Sequence, residues 1–302
     1  MSDAEATAGS SSESTRPNPA ACTIRVDDID KTNLAGDGNY LWRHTLPDGL
    51  DVVFKIYYGN RSSLLYMKKT FGNVMLTGRS SHMPKPRCRV EVDCINTWEK
   101  HGFRCFGIYP QVKVEGLPEG GYMTFEYIPG LHFREYFADK SVPVEERMAT
   151  WRRFIGEWHR RHAAAVKDND SRLIHENGDV KHVMLWKGEF LYLDFEMIYT
   201  GKNIRTLVGR EICAYMRSVG RFFGDRLYER MTEELIEHYP DKALLMSTYD
   251  WAFNDPHPLW KLIRNIDYAA KPKNKKKHSK YEVALDIKRR LDERSLTRSN
   301  PK

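Results

Sequence analysis

Residues 173–196 read LIHENGDVKHVMLWKGEFLYLDFE, and the order of parts in this stretch decides the fold expected for the chain. A polar loop carrying His175, Asn177, Asp179 and His182 leads into two short apolar runs, 183–186 and 190–193. These are joined at Lys187-Gly188 and closed by Asp194-Phe195-Glu196. Apolar runs on either side of a Lys-Gly turn predict a tight hairpin. A carboxylate in the loop can take a hydroxyl proton, and a second one beyond the hairpin can bind a divalent metal. Phosphoryl transfer asks little more of a protein than a positioned hydroxyl, a cation against the phosphates and neutralised charge.

Composition narrows the class around that stretch. The 302 residues can bury a sizeable core as one large domain or two lobes. No run of about 18 apolar residues occurs, so no spanning helix is predicted, and the N-terminus lacks the basic-then-apolar order of a secretory signal. The five cysteines (Cys22, Cys88, Cys94, Cys105, Cys213) are scattered without a CxxC pair. That argues against a disulfide framework and a thiolate zinc site, and the reduced cytoplasm is the expected compartment. The net charge of +7 is concentrated late, in KPKNKKKHSK at 271–280. Such a run can meet phosphates or anionic lipid, and as a peripheral contact it fits the inner face of a membrane. No aromatic–basic interleaving or nucleic-acid motif accompanies it, so nucleic acid is not an expected partner.

Taken in order, the chain divides four ways. Residues 1–22, rich in Ser, Ala, Thr and Pro, are expected to be disordered, with the domain starting near Thr23. Residues 23–126 form the strand-rich first part. Runs at 40–45 and 51–57 flank Leu46-Pro47-Asp48-Gly49, a turn signal. Gly36-Asp37-Gly38 precedes the first run, so Gly36 and Gly38 are candidates for a phosphate-covering turn, and Lys55 ends the apolar VVFK run. Residues 61–89 are basic, with Leu64, Leu65 and Met67 near the start and a loop at 80–86. A helix is expected over 90–100, closed by His101-Gly102 and bearing Glu91. Strands are expected at 103–112 and 122–127, the second ending in Glu126-Tyr127-Ile128-Pro129-Gly130, a break suited to a hinge whose backbone at Glu126 and Ile128 can bond a base edge.

Residues 127–270 are read as helical around the polar loop. Met148, Trp151, Ile155, Trp158 and His162 recur at three and four within a helix over 143–167, with His159 and His162 as structural residues. Helical stripes follow over 209–221 and 227–239. Residues 271–302 form a basic segment with a short helix, Val283, Ile287 and Leu291 marking its apolar stripe. Strands first and helices second predict an α+β, two-lobed architecture with a strand-rich N-lobe and a helical C-lobe.

With 36–38, Lys55, Glu91, the EYIPG break, the 175–182 loop and DFE in this order, the chain resembles the protein-kinase-like superfamily. Within it, the chain is similar to the bacterial lipopolysaccharide core kinases that phosphorylate heptose or 3-deoxy-octulosonic acid (Kdo). The carrying segments are VVFKIYY, RSSLLYMKKTF, RVEVDCINTWEKHGF, EYIPG, and KHVML running into LYLDFE. The resemblance implies an ATP- and Mg2+-dependent phosphotransferase acting on a core sugar hydroxyl. Lys55 would hold the α and β phosphates, Glu91 would orient Lys55, and Asp194 with His182 would carry the metal.

The loop departs from the family's pattern. The family has H-x-D and then Asn five residues after the Asp. Here His182 follows His175 by seven, the spacing from His to Asn in that pattern. Laid without gaps, Asn177 falls on the catalytic Asp. With compensating shifts Asp179 is the base. Either way a histidine replaces the second metal ligand, and an imidazole suits a hard cation less well than an amide oxygen. Two alternatives to the core-sugar kinase follow: a pseudokinase scaffold that binds nucleotide without transfer, and a kinase with another small-molecule or protein acceptor.

Overall fold

A computed structural model describes residues 16–32, 34, 39–58, 62–254, 266, 269 and 278–299. The expected phosphate-covering glycines at 36 and 38 and the lysines at 271–277 lie outside the described residues. Turn chemistry builds the first part as predicted. Leu46-Pro47-Asp48-Gly49 reverses the chain between β2 (Tyr40–Thr45) and β3 (Asp51–Ile56), with Gly49 N–H donating to the Leu46 carbonyl at 2.9 Å. β5 (Tyr122–Glu126) joins the other edge of β3, giving an antiparallel sheet of order β2-β3-β5. β1 (Cys22–Arg25) pairs in parallel with β4 (Val112–Glu115).

The two-residue period of β3 sets the site. Val52, Phe54 and Ile56 face a small core with Ile24, Trp42, Tyr109, Val112 and Val114. Alternation therefore turns Lys55 to the opposite face, toward helix α2 (Pro84–Lys100). Along α2, Arg87, Glu91, Cys94, Ile95 and Trp98 recur at helical spacing and are all buried. Pro84 at the first turn is preorganised to start a helix, so α2 begins ahead of the expected start at Val90.

Beyond β5 the chain runs through β6 (Leu131–His132), α3 (Phe133–Ala138) and α4 (Val144–Asp168) to the hairpin of β7 (Val183–Trp186) and β8 (Glu189–Tyr192). Lys187 (φ 49°) and Gly188 (φ 81°) both take left-handed backbone, as a two-residue hairpin turn of matching twist requires. Helices α5 (Ile204–His238), α6 (Lys242–Phe253) and α7 (Lys280–Ser299) follow. A single large core runs through this half, from Trp98 and Phe195 to Trp151, Trp158, Tyr215, Leu245 and Ile287. The two-lobed α+β architecture is the one expected. Among the described residues no helix is long and apolar enough to cross a membrane.

Several elements differ from the sequence reading. The fold starts ahead of Thr23: Arg16 donates to the Cys105 carbonyl at 2.8 Å and pairs with Glu99 at 2.5 Å, and Gln111 reaches Asn18 at 2.9 Å. Composition alone does not reveal this, because the partners of the polar stretch are some 90 residues away in the chain. Residues 103–111 are not a strand. They bridge β5 only at Ile108, and a turn at Pro110-Gln111, with Val112 N–H on the Tyr109 carbonyl, redirects the chain into β4. The two helices expected at 209–221 and 227–239 are both present, on either side of a non-helical break at Gly224 (φ 73°) within α5, but the first begins earlier, at Ile204. Within the basic 61–89 stretch lie helix α1 (Ser63–Phe71) and a π-helical turn, Gly72–Thr77. The C-terminal helix is longer than the short one expected, 20 residues.

Candidate active site

The lysine of β3 meets the glutamate of α2. Lys55 Nζ lies 2.5 Å from Glu91 Oε2, both side chains are almost fully buried, and the Tyr57 hydroxyl donates to the same oxygen at 2.6 Å. Burial works against the Lys55 charge, but the carboxylates of Glu196 and Glu91 more than offset it and raise its pKa above the ordinary lysine value. Lys55 is therefore a fixed cation, aimed by a helix.

Glu196, the last residue of the 173–196 stretch, was assigned no role from sequence. Its Oε1 lies 2.7 Å from Lys55 Nζ and accepts from the Asn39 amide. Its Oε2 accepts from both Arg87 Nε, at 2.9 Å, and the Arg87 terminal amine. Arg87 in turn donates to Asn39 Oδ1 at 2.5 Å. The cluster thus ties the start of β2, the end of β3, one face of α2 and the segment after the hairpin. The available signal was the spacing of Arg87 and Glu91, one helical turn apart, which puts both on the face that meets Lys55.

The polar loop is held from beneath. His175 is fully buried, and its Nε2 lies 2.7 Å from the Leu193 carbonyl, which can only accept. Nε2 therefore carries the proton, and Nδ1 accepts from the Tyr215 hydroxyl at 2.6 Å. Burial pushes the His175 pKa down to about 4, so the ring is neutral at neutral pH. His175 N–H donates to Glu211 Oε2 at 2.8 Å. Glu211 is itself buried, bonded to Arg161 and to Trp158 Nε1 at 2.8 Å. Although burial opposes its charge, the Arg161 guanidinium holds the Glu211 carboxyl well below the usual carboxylate range. Gly178 lies so close to the Tyr215 ring that a Cβ would meet it at 2.8 Å, so the loop can settle on α5 only with glycine there.

On the open side of the loop, three of the predicted residues meet. The Asn177 amide donates to Asp194 Oδ2, and His182 Nε2 lies 3.6 Å from the same oxygen. His182 Nδ1 donates to the Asn177 carbonyl at 2.8 Å. In the neutral ring this leaves the Nε2 lone pair facing a carboxylate oxygen. Two Lewis bases set this way are stabilised by a cation or proton between them, so the donor set fits one divalent ion completed by phosphate oxygens. Burial tends to raise the Asp194 pKa, but Lys55, His182 and the Asn177 amide hold it below the ordinary value. Asp194 also sits at φ 71°, a left-handed conformation that costs a non-glycine residue ~1–2 kcal/mol.

Asp179 is turned elsewhere. Its Oδ2 lies 2.5 Å from Arg221 on α5, and its Oδ1 accepts from Lys181 N–H at 3.1 Å, capping a short turn that ends at His182. At the expected hinge, Glu126 spends its N–H on the Gly107 carbonyl and its side chain on Gly107 N–H and Arg104, while Ile128 is buried. Phe195, between Asp194 and Glu196, packs on Trp98 and His175, locking the segment to α2.

No protein-family model and no curated protein sequence matches the chain. Among solved structures it is similar to WaaP in complex with acyl carrier protein, with 10% identity and a TM-score of 0.44, covering 88% of this chain and 90% of that one. It is also similar to the amicoumacin kinase hAmiN in complex with AMP-PNP, Ca2+ and Ami, with 12% identity, a TM-score of 0.40 and 90% of each chain covered. A third is the pseudokinase drought responsive inactive kinase 1 bound to ENMD-2076, with 15% identity and a TM-score of 0.40, covering 86% of this chain and 90% of that one. What identifies the fold is built by the chain's own elements: a β3 lysine paired with an α2 glutamate, a buried loop histidine, and a carboxylate leaving a hairpin. The fold is protein-kinase-like.

Proposed function

We propose that the protein is an ATP-dependent phosphotransferase acting on a sugar hydroxyl of the lipopolysaccharide inner core, heptose or Kdo. The observation that carries the phosphotransferase reading is the buried Lys55–Glu91 pair on the same side as Asp194, whose charge Lys55 feels. Lys55 binds the α and β phosphates, and Glu91 keeps its ammonium aimed. Asp194 and His182 hold Mg2+, which supplies charge neutralisation at the transferred phosphoryl group when bound. The acceptor class rests on the resemblance of the sequence motifs.

The loop carries the rest of the chemistry. Asn177, in contact with Asp194, can position a hydroxyl but cannot take its proton. Asp179 can take it only by exchanging its Arg221 partner for the acceptor. Since phosphoryl transfer leans more on positioning than on base strength, turnover without a strong base is slow rather than absent. A second reading, nucleotide binding without transfer, is favoured by one observation: both Asp179 carboxylate oxygens are engaged away from Asp194, by Arg221 and by the loop's own backbone.

Turnover of ATP and Mg2+ with a lipopolysaccharide-core acceptor separates the two, run beside Asp179→Asn and Asp194→Asn. Transfer lost in both variants establishes the kinase and puts the base at Asp179. Transfer lost only in Asp194→Asn keeps the kinase and assigns positioning to Asn177. Nucleotide bound with no transfer to any core acceptor removes the core-sugar reading, and transfer absent with other small-molecule and protein acceptors as well establishes the second reading.

A further inference from the structure

Helix α1 is amphipathic the wrong way round for a helix of a protein interior. Its one buried side chain is Tyr66, whose hydroxyl donates to the Tyr57 carbonyl at 3.2 Å. The apolar residues face outward instead: Leu64 is 75% exposed, Met67 61% and Phe71 65%, and in the π-helical turn that continues the helix Met75 is 67% exposed. Positions 64, 67, 71 and 75 recur at three and four, so these side chains form one stripe along one face. Exposed large apolar residues occur singly on most surfaces, but an aligned row of four marks a contact.

Charge says what the row contacts. No Asp or Glu occurs between Val52 and Val90, and although Arg79 and Arg87 there are paired with Glu176 and Glu196, other basic residues of the stretch stand at the surface. Lys68 is exposed on the edge of the stripe, one turn from Leu64, and Lys85 and Arg89 are exposed on the neighbouring α2. A convex row of long, flexible apolar side chains rimmed by lysines has the make-up of a helix lying in a bilayer interface, apolar face in the acyl boundary and cations at anionic headgroups. We infer that the outer face of 63–77 is a docking surface for an anionic membrane.

The surface is wired to the candidate active site. At the end of the π-helical turn Gly78 accepts from Thr200 N–H at 2.8 Å, and Ser80 N–H donates to the Ile198 carbonyl at 2.8 Å. Arg79 pairs with Glu176 of the polar loop at 2.7 Å. A membrane held by this face therefore lies against the element that joins the loop and the segment after Glu196. This inference uses neither nucleotide nor acceptor, so its failure leaves the phosphotransferase reading standing.

The test is co-sedimentation of the full chain with phosphatidylcholine vesicles, with and without phosphatidylglycerol. Three proteins are compared: wild type, Leu64→Ser/Met67→Ser/Phe71→Ser, and Lys275→Gln/Lys276→Gln/Lys277→Gln in the lysine run. Thermal melts establish that each is folded, as expected of the apolar triple variant because Leu64, Met67 and Phe71 lie on an exposed face. Wild type should bind the anionic vesicles, and the apolar triple variant should lose about ten-fold or more in affinity while the lysine-run variant keeps most of it. Binding by the apolar variant equal to wild type overturns the inference, as does a wild type that binds neither vesicle. Self-association relieved by the apolar variant, without vesicle binding, overturns it in favour of a second copy of this chain.

Discussion

Two clusters of buried charge bracket the polar loop, and they are built differently. Beneath it, Arg161 and Glu211 come from two helices of one lobe, both fully buried, and every Glu211 oxygen is taken by Arg161, Trp158 or the His175 backbone. Beside it, Lys55, Arg87, Glu91 and Glu196 come from both lobes, and two cations share two carboxylates with the Asp194 carboxylate nearby. The first cluster is closed and fixes where the loop backbone lies. Under the proposed function the second would exchange partners, because a phosphate oxygen offers Lys55 and Arg87 what the Glu196 carboxylate offers them now. On that reading, buried charge serves geometry in one and ligand exchange in the other.

The largest effect should fall on the closed cluster. Glu211→Ala strands the Arg161 guanidinium in an apolar core and should cost ~3–5 kcal/mol in urea unfolding. A loss below about 1 kcal/mol would mean that the cluster does not anchor the loop.

Next in size is a pH effect from the same region. Burial holds His175 and His162 down at about 4, whereas both protonate near 6.5 once unfolded. Between those values the unfolded chain binds more protons, so stability is fully present above pH 6.5 and is lost as pH falls toward 4. From pH 6.5 to 5 each histidine should remove up to ~2 kcal/mol. Thermal melts across that range should be steep, and His162→Gln should take away about half of the slope.

The open cluster should respond in binding rather than in folding. Glu196→Gln removes the carboxylate that competes with phosphate for Lys55 and Arg87, and affinity for an ATP analogue should rise about five- to ten-fold, roughly 1 kcal/mol. Weaker binding would give Glu196 a role in holding the ligand instead. The smallest expected effect is at Arg221→Gln. The Arg221 side chain is largely exposed, so stability should move within ~0.5 kcal/mol. A rise in turnover in that variant would nonetheless mark Asp179 as the base that Arg221 restrains.

The two clusters also differ in how far they were legible. Lys55, Glu91, Asp194, His182 and Asn177 could be picked out because strand alternation, helical period and loop spacing are local. The structure brings Lys55 to Glu91, and Asn177 and His182 to Asp194. Asp179 was legible as a carboxylate in the loop, but not its direction, which a partner 42 residues away on α5 decides. Glu211 carried a faint signal, an acid on the apolar face formed by Ile212, Tyr215 and Val219, and its partner Arg161 lies 50 residues back. Glu196 bonds Arg87 across 109 residues, beyond any window of periodicity. In 61–89 the apolar residues were visible, but periodicity gives a stripe and not the side it faces, so the outward stripe of α1 emerged only with the fold.

The central claim is that the open cluster and Asp194 form a nucleotide–metal site, and calorimetric titration of folded protein with an ATP analogue, with and without Mg2+, tests it most directly. The account predicts Mg2+-enhanced binding by wild type, loss of the Mg2+ enhancement in Asp194→Asn, and weakened binding in Lys55→Met. A folded wild type that binds no nucleotide under either condition would contradict it.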